Sequence, residues 1–238
     1  AEELPAADAI VNPNLVGDEF PSGALAGVGV MFYVLMAMRS RLREQGWFLT
    51  QNRVEPNLAQ LLDFVALGTV ADVVPLDHVN RILVYQGLLR MRSGKGHIGI
   101  QALAEVAGKN TENLQSSDLG FSIGPRLNAA GRLDDMRLGI QCLMADDMAV
   151  AKQLAEQLND LNKERRDIEN QMKQEALVLL KEMNDTKKRH SSSGVCLYDA
   201  DWHQGVIGIL ASRIKDRLNR PVIAFANAGD GEIKGSAR

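Results

Sequence analysis

The chain has 238 residues, 45% of them hydrophobic and 24% charged, and its formal net charge is −3. That length suits one large domain or one domain and part of another, and the mildly acidic balance excludes a protein that coats nucleic acid through a global basic field. Its two cysteines, Cys142 and Cys196, lie far apart with no CxxC or Cys/His spacing, which excludes a zinc motif or disulfide framework and fits a reducing cytoplasm.

Ala9-Ile10-Val11-Asn12 is short and apolar, bounded by Pro5 and by Asn12-Pro13-Asn14, which predicts a buried strand. Phe20-Pro21-Ser22-Gly23 offers a helix start with Ser22 as N-cap, and a helix over 24–44 follows. Its first half is apolar nearly all round and is expected to be buried on both sides, with Gly27 and Gly29 admitting another backbone. The longest weakly polar run, 23–38, is shorter than the ~20 residues a membrane span needs, so no membrane contact is expected.

A second apolar helix is predicted over 58–70, and Asp72 stands just beyond it in Gly68-Thr69-Val70-Ala71-Asp72-Val73-Val74-Pro75-Leu76. A carboxylate among apolar residues must reach the surface, lose its charge or find a partner. By spacing alone a helix cap or ion pair is the commoner answer; a divalent cation is the other. An amphipathic helix follows over 77–91, with Ile82, Leu83, Tyr85, Leu88 and Leu89 on its inner side, and a shorter helix over 98–106.

Ser116-Ser117-Asp118 reads as a cap ahead of Gly124-Pro125-Arg126-Leu127-Asn128-Ala129-Ala130-Gly131-Arg132. Two arginines six apart, with Asn128 between and small residues nearby, suit a phosphate ligand close to the backbone. The same arginines beside Asp134 and Asp135 also suit a local salt-bridge set. Between Asp147 and about Lys188 there is neither Gly nor Pro, and apolar residues recur in steps of three and four, interrupted by Arg165. This predicts one helix of ~35–40 residues, either a coiled-coil dimerisation helix or a rigid connector. A polar linker over 187–194 ends it.

Strand, helix and strand are then predicted over 195–198, 206–218 and 222–225, a βαβ unit with parallel strands. His203-Gln204-Gly205-Val206-Ile207-Gly208 lies at its strand-to-helix turn, where a helix start offers N–H groups to an anion, although a turn histidine is more often an ordinary cap. Lys234-Gly235-Ser236-Ala237-Arg238 is a weaker candidate phosphate cradle. Three basic groups, around 39–43, 81–95 and 213–220, read as solvated helix faces that permit nucleic-acid contact without requiring it. Both ends read as cut, so a piece of a longer protein is expected.

These segments, in this order, with Ile10-Val11-Asn12-Pro13-Asn14 and Leu25-Ala26-Gly27-Val28-Gly29-Val30 ahead of them, resemble the DHH phosphoesterase family, and within it the single-strand-specific 5′→3′ DNA exonucleases. The resemblance implies an α/β fold in three parts. These are the C-terminal, largely helical part of a DHH phosphoesterase domain (1–145), a long connector helix and linker (146–190), and the βαβ start of a DHH-associated domain (191–238). It implies that Asp72 is a catalytic metal ligand for Mn²⁺ or Mg²⁺ in a two-metal site. It implies that Arg126, Asn128, Arg132, His203, Gly235, Ser236 and Arg238 face substrate phosphates. Single-stranded DNA with a 5′ end is the implied partner, with a single-strand-binding protein and a helicase as companions in cytoplasmic repair and recombination.

The chain departs from that family in one decisive respect. It has no Asp-His-His run, its four histidines are scattered, and the motifs that supply most metal ligands in the family are absent. A lesser departure is Ala237, where the family usually has Gly. These 238 residues are therefore expected to be inactive alone. A DHH nano-RNase or nucleotide phosphatase, and a non-catalytic coiled-coil scaffold, are the alternative readings.

Overall fold

The computed structural model describes residues 4–186, 193–229 and 231–238, which form two compact units. Unit 1 comprises Ala1–Arg126 and Gly139–Glu156; unit 2 comprises Leu127–Leu138 and Gln157–Arg238.

Unit 1 is helical. Helix α1 (Gly27–Glu44) begins without a side-chain cap, and a single turn, α2 (Trp47–Thr50), follows the left-handed Gly46. A 3₁₀ turn at Leu58–Leu61 leads into α3 (Leu62–Ala71), and α4 (His78–Arg92) packs on α3. That packing is a backbone contact, because a Cβ on Gly87 would stand 2.2 Å from the Leu62 carbonyl oxygen. The core here gathers Leu25, Phe32, Leu58, Val65 and Leu83.

The buried stripe of α4 is Asn80, Leu83, Val84, Gly87, Leu88 and Met91, the three- and four-residue steps of one helix face. Ile82, Tyr85 and Leu89, expected inside, fall off that stripe and are exposed. Asp77 caps α4, its Oδ1 accepting from the Asn80 amide at 2.9 Å, and Ser22 Oγ donates to Asp77 Oδ2 at 2.5 Å. Ser22 therefore secures α4 and does not cap α1.

Two further expectations fail in this region. Residues 9–12 are exposed and form no strand, because a strand holds its shape only against a partner and none of the described strands lies in unit 1. Helix α1 is not buried on both sides. Val30, Tyr33, Val34 and Ala37 line an open apolar groove of about 730 Å³ together with Ile10 and Val11.

The remaining helices are α5 (Ile98–Val106), a single turn α6 (Ser116–Asp118), a π-helical turn at Leu119–Ile123, α7 (Gly124–Leu133), α8 (Arg137–Leu143) and α9 (Met148–Thr186). Gln115, not a serine, precedes α6 as its cap residue, with its amide donating to Asp118 Oδ2 at 2.9 Å. Helix α9 has 39 residues, contributing its first turns to unit 1 and the rest to unit 2. Ala151, Ala155 and Leu158, then Met172 and Ala176, are buried along it.

In unit 2, β1 (Val195–Asp199), α10 (Ile207–Leu218) and β2 (Val222–Gly229) form the expected βαβ unit, with β1 and β2 parallel from Val195 opposite Val222 to Asp199 opposite Ala226. Strand β3 (Glu232–Ala237) adds antiparallel to β2. Met172 and Ala176 of α9, Leu210 and Ile214 of α10, and Leu197 and Ala224 of the sheet share one core. Most of the expected linker, 187–192, lies outside the described residues. Among the described residues, no helix is long and apolar enough to cross a membrane.

Candidate functional site

The candidate residues fall in two groups. In unit 1, Asp72 is the C-cap residue of α3, its amide donating to the Gly68 carbonyl at 2.9 Å. Its side chain is exposed, so this carboxylate is resolved by reaching water. Val73, the next residue, has φ +57° and is 86% exposed, a left-handed conformation that a β-branched residue rarely adopts. The π-helical turn packs close by, since a Cβ on Gly120 would meet Val70 Cγ1 at 3.2 Å. Arg126, in the first turn of α7, is partly buried and donates from Nη1 to the Ser122 carbonyl at 2.6 Å.

Among the described residues, no group of three His, Cys, Asp or Glu side chains converges as a divalent cation would require. Asp72 by itself does not fit a two-metal site.

Unit 2 assembles most of the phosphate candidates around the start of α10. No side chain caps that helix start. His203 Nδ1 accepts from the Gly205 amide at 3.1 Å, which in the neutral ring leaves the proton on Nε2, free to donate. Arg132, in the last turn of α7, donates from Nη1 to the Gly205 carbonyl at 3.2 Å. At the first turn of α10, a Cβ on Gly208 would lie 3.0 Å from Arg238 Nη2 and 3.1 Å from Ser236 Oγ. Arg132, His203, Ser236 and Arg238 thus converge on one uncapped helix start, whose amides favour negative charge.

Two candidates have plainer surroundings. Gly235 is opposite Phe225 in the sheet, and a Cβ there would stand 2.6 Å from the ring, which accounts for the glycine by packing. Asn128 is exposed on α7.

Desolvation, followed by the nearby Arg165 and Arg238 guanidinium groups, lowers the Arg132 pKa from its ordinary value, and Glu169 partly opposes this. Arg165 and Glu169 did not stand out from the sequence as site residues. Their signal is spacing: Asn162, Arg165 and Glu169 sit three and four residues apart, on a helix face otherwise reserved for core residues. In unit 1, Asp63 is fully buried, accepts from the His97 amide at 2.7 Å and lies 2.9 Å from its Nδ1, a pairing across 34 residues that no local motif signals.

The basic groups are largely committed to local structure. Arg43 pairs with Glu55, Arg81 donates to the Leu76 carbonyl, Arg92 to the Leu114 carbonyl, and Lys215 pairs with Asp216.

Residues 191–238 match the family model described as the DHHA1 domain. The whole chain is 58% identical to the single-stranded-DNA-specific exonuclease RecJ of Dickeya dadantii and 56% identical to that of Escherichia coli, and in each case it covers 41% of the relative. The chain thus spans about two fifths of the length of these curated relatives. Among solved structures, the Mg²⁺ complex of RecJ from Thermus thermophilus superposes with a TM-score of 0.74 at 31% identity, over 94% of this chain and 32% of that one. A manganese-bound exonuclease RecJ gives 0.76 at 32% identity, over 99% of this chain and 54% of that one. Along its entire length, then, the chain is similar to one segment of the RecJ exonucleases, and its residues 191–238 match the DHHA1 domain.

Proposed function

We propose that these residues serve a metal-dependent 5′→3′ exonuclease that hydrolyses phosphodiester bonds of single-stranded DNA in cytoplasmic repair and recombination. The observation that carries this reading is the convergence of Arg132, His203, Ser236 and Arg238 on the uncapped start of α10. Three kinds of donor gathered there, guanidinium, imidazole and hydroxyl, suit a phosphate that brings no hydrogens of its own.

The resemblance implies that Arg126 and Arg238 bind the terminal phosphate and set the register of each cut; in this reading Arg132 joins Arg238 there, and Asn128 follows the backbone. Asp72 would offer one oxygen to a Mn²⁺ or Mg²⁺ ion, which would supply Lewis acidity at the scissile phosphate. Among the described residues, no group of three candidate ligands gathers to complete that ion's site. A single-strand-binding protein and a helicase would be the companions of such an enzyme. The boundaries near 145 and 190 would divide it into phosphoesterase, connector and DHH-associated parts. The coiled-coil alternative is disfavoured by α9, whose Leu158, Met172 and Ala176 are already buried in this chain's own cores.

The test is to incubate the 238-residue chain with end-labelled single strands and duplex, in Mn²⁺ and in Mg²⁺. The expected result is preferential binding of the single strand without degradation. Degradation that disappears in Asp72→Ala would overturn the incomplete metal site, and equal binding of duplex would overturn the substrate assignment.

A further inference from the structure

Asn162, Arg165 and Glu169 interrupt the apolar seam of α9 and are all largely withdrawn from water. Glu169 Oε2 accepts from Arg165 Nη1 at 2.6 Å, while its Oε1 accepts from Arg213 Nε on α10 at 3.0 Å. One buried carboxylate thereby holds two guanidinium groups, one on its own helix and one on its neighbour. Arg165 Nη2 also reaches Asn162 Oδ1 at 3.4 Å. One turn and a half further along α9, Glu175 Oε2 accepts from Trp202 Nε1 at 2.9 Å, which fixes the helix to the turn bearing His203.

Stability does not call for this arrangement, since well-packed aliphatic residues in the seam would avoid the cost of desolvating the charges. The arrangement is also incomplete. Arg165 Nε is buried and meets no acceptor, a donor left over in a site that otherwise satisfies its neighbours. Arg132, Arg165, Arg213 and Arg238 outnumber Glu169 and Glu175, an excess of positive charge that suits an anion carrying more than one negative charge, as a terminal phosphate does.

We propose that Glu169 is a positioning residue of the anion site, holding Arg165 so that this guanidinium becomes a further phosphate ligand beside Arg132 and Arg238. The inference rests on the phosphate-binding reading of unit 2. It adds to that reading a residue pair on α9 and a division of labour within it. Glu169 orients without touching the ligand, and Arg165 reaches it.

The sign of one substitution separates positioning from simple charge balance. Glu169→Gln removes a negative charge while keeping the volume and a carbonyl acceptor. If Glu169 were only a counter-charge, its loss would raise the local potential and tighten phosphate binding. A positioning role predicts weaker binding despite the more favourable charge. The probes are short 5′-phosphorylated and 5′-hydroxyl single strands, titrated into the 238-residue chain by fluorescence anisotropy.

In Glu169→Gln, the preference for the phosphorylated end should fall by about tenfold, the size of one charge-assisted hydrogen bond. Arg165→Lys, which keeps the charge but loses the fork, should show a similar fall, and the double variant should be no worse than either single one. Circular dichroism of each variant establishes that the fold is retained. Tighter binding or an unchanged preference in Glu169→Gln overturns the inference, as does an unchanged preference in Arg165→Lys. Absence of any preference in the unsubstituted chain overturns instead the phosphate-binding reading beneath it.

Discussion

The carbonyl oxygen of Arg132 fills the space where a side chain on Gly205 would stand, since a Cβ built there lies 2.1 Å from it. Arg132 Nη1 closes the contact by donating to the Gly205 carbonyl at 3.2 Å. Two motifs separated by 73 residues are thus joined through backbone. Gly205→Ala cannot be absorbed by a rotamer change, so it should destabilise unit 2 by ~2–3 kcal/mol. Urea denaturation followed by Trp202 fluorescence would register this as a lower midpoint.

Gly208→Ala should behave differently. Its Cβ would meet the tips of Arg238 and Ser236, at 3.0 and 3.1 Å, and the Arg238 tip is the flexible end of a long side chain. Stability should stay within ~0.5 kcal/mol of the parent. Affinity for a phosphorylated end should drop, because the displaced groups are the ones proposed to hold it. Equal losses of stability and affinity would show that the position serves the fold alone.

Asp77 supplies a pH-dependent increment. Its hydrogen bonds from the Asn80 amide and then the Ser22 hydroxyl keep its pKa below the ordinary carboxylate value. The sign follows from the folded state binding its proton less readily than the unfolded one. The increment is fully present above the unfolded value of ~3.9 and is lost as pH falls through the lower folded value. Asp77→Ala should cost ~1 kcal/mol at neutral pH, and the cost should shrink in acid. Thermal midpoints of both proteins across this range check it.

The two thiols should differ in reactivity. Burial pushes the Cys142 thiol up to about 11, and its side chain is inaccessible, whereas Cys196 is exposed. Alkylation at mildly basic pH should therefore modify Cys196 in the folded protein and both cysteines after denaturation, as read by mass spectrometry. Modification of Cys142 under native conditions would show that unit 1 opens readily.

Legibility in the sequence followed the range of the interactions involved. Helix α9 was readable because the absence of Gly and Pro, and the three- and four-residue apolar steps, are local properties. The βαβ unit was readable too, although pairing with β3 carries β2 past Phe225 to Gly229. The role of Ser22 was hidden because its partner, Asp77, is 55 residues away. Residues 9–12 have strand composition, yet composition cannot supply the neighbouring strand that would order them. In the site, Arg132, His203, Ser236 and Arg238 were visible as motifs. Glu169 was not, since a single acidic residue on a long charged helix looks like solvated surface until α10 is seen to deliver Arg213 to it.

The most direct measurement is the affinity of the 238-residue chain for single strands that differ only in a 5′-phosphate, with Arg238→Ala beside the parent. A grip on the terminal phosphate predicts a preference of at least about tenfold, close to 1.4 kcal/mol, which Arg238→Ala abolishes. Equal affinity for the two ends, or a preference that survives Arg238→Ala, would contradict it.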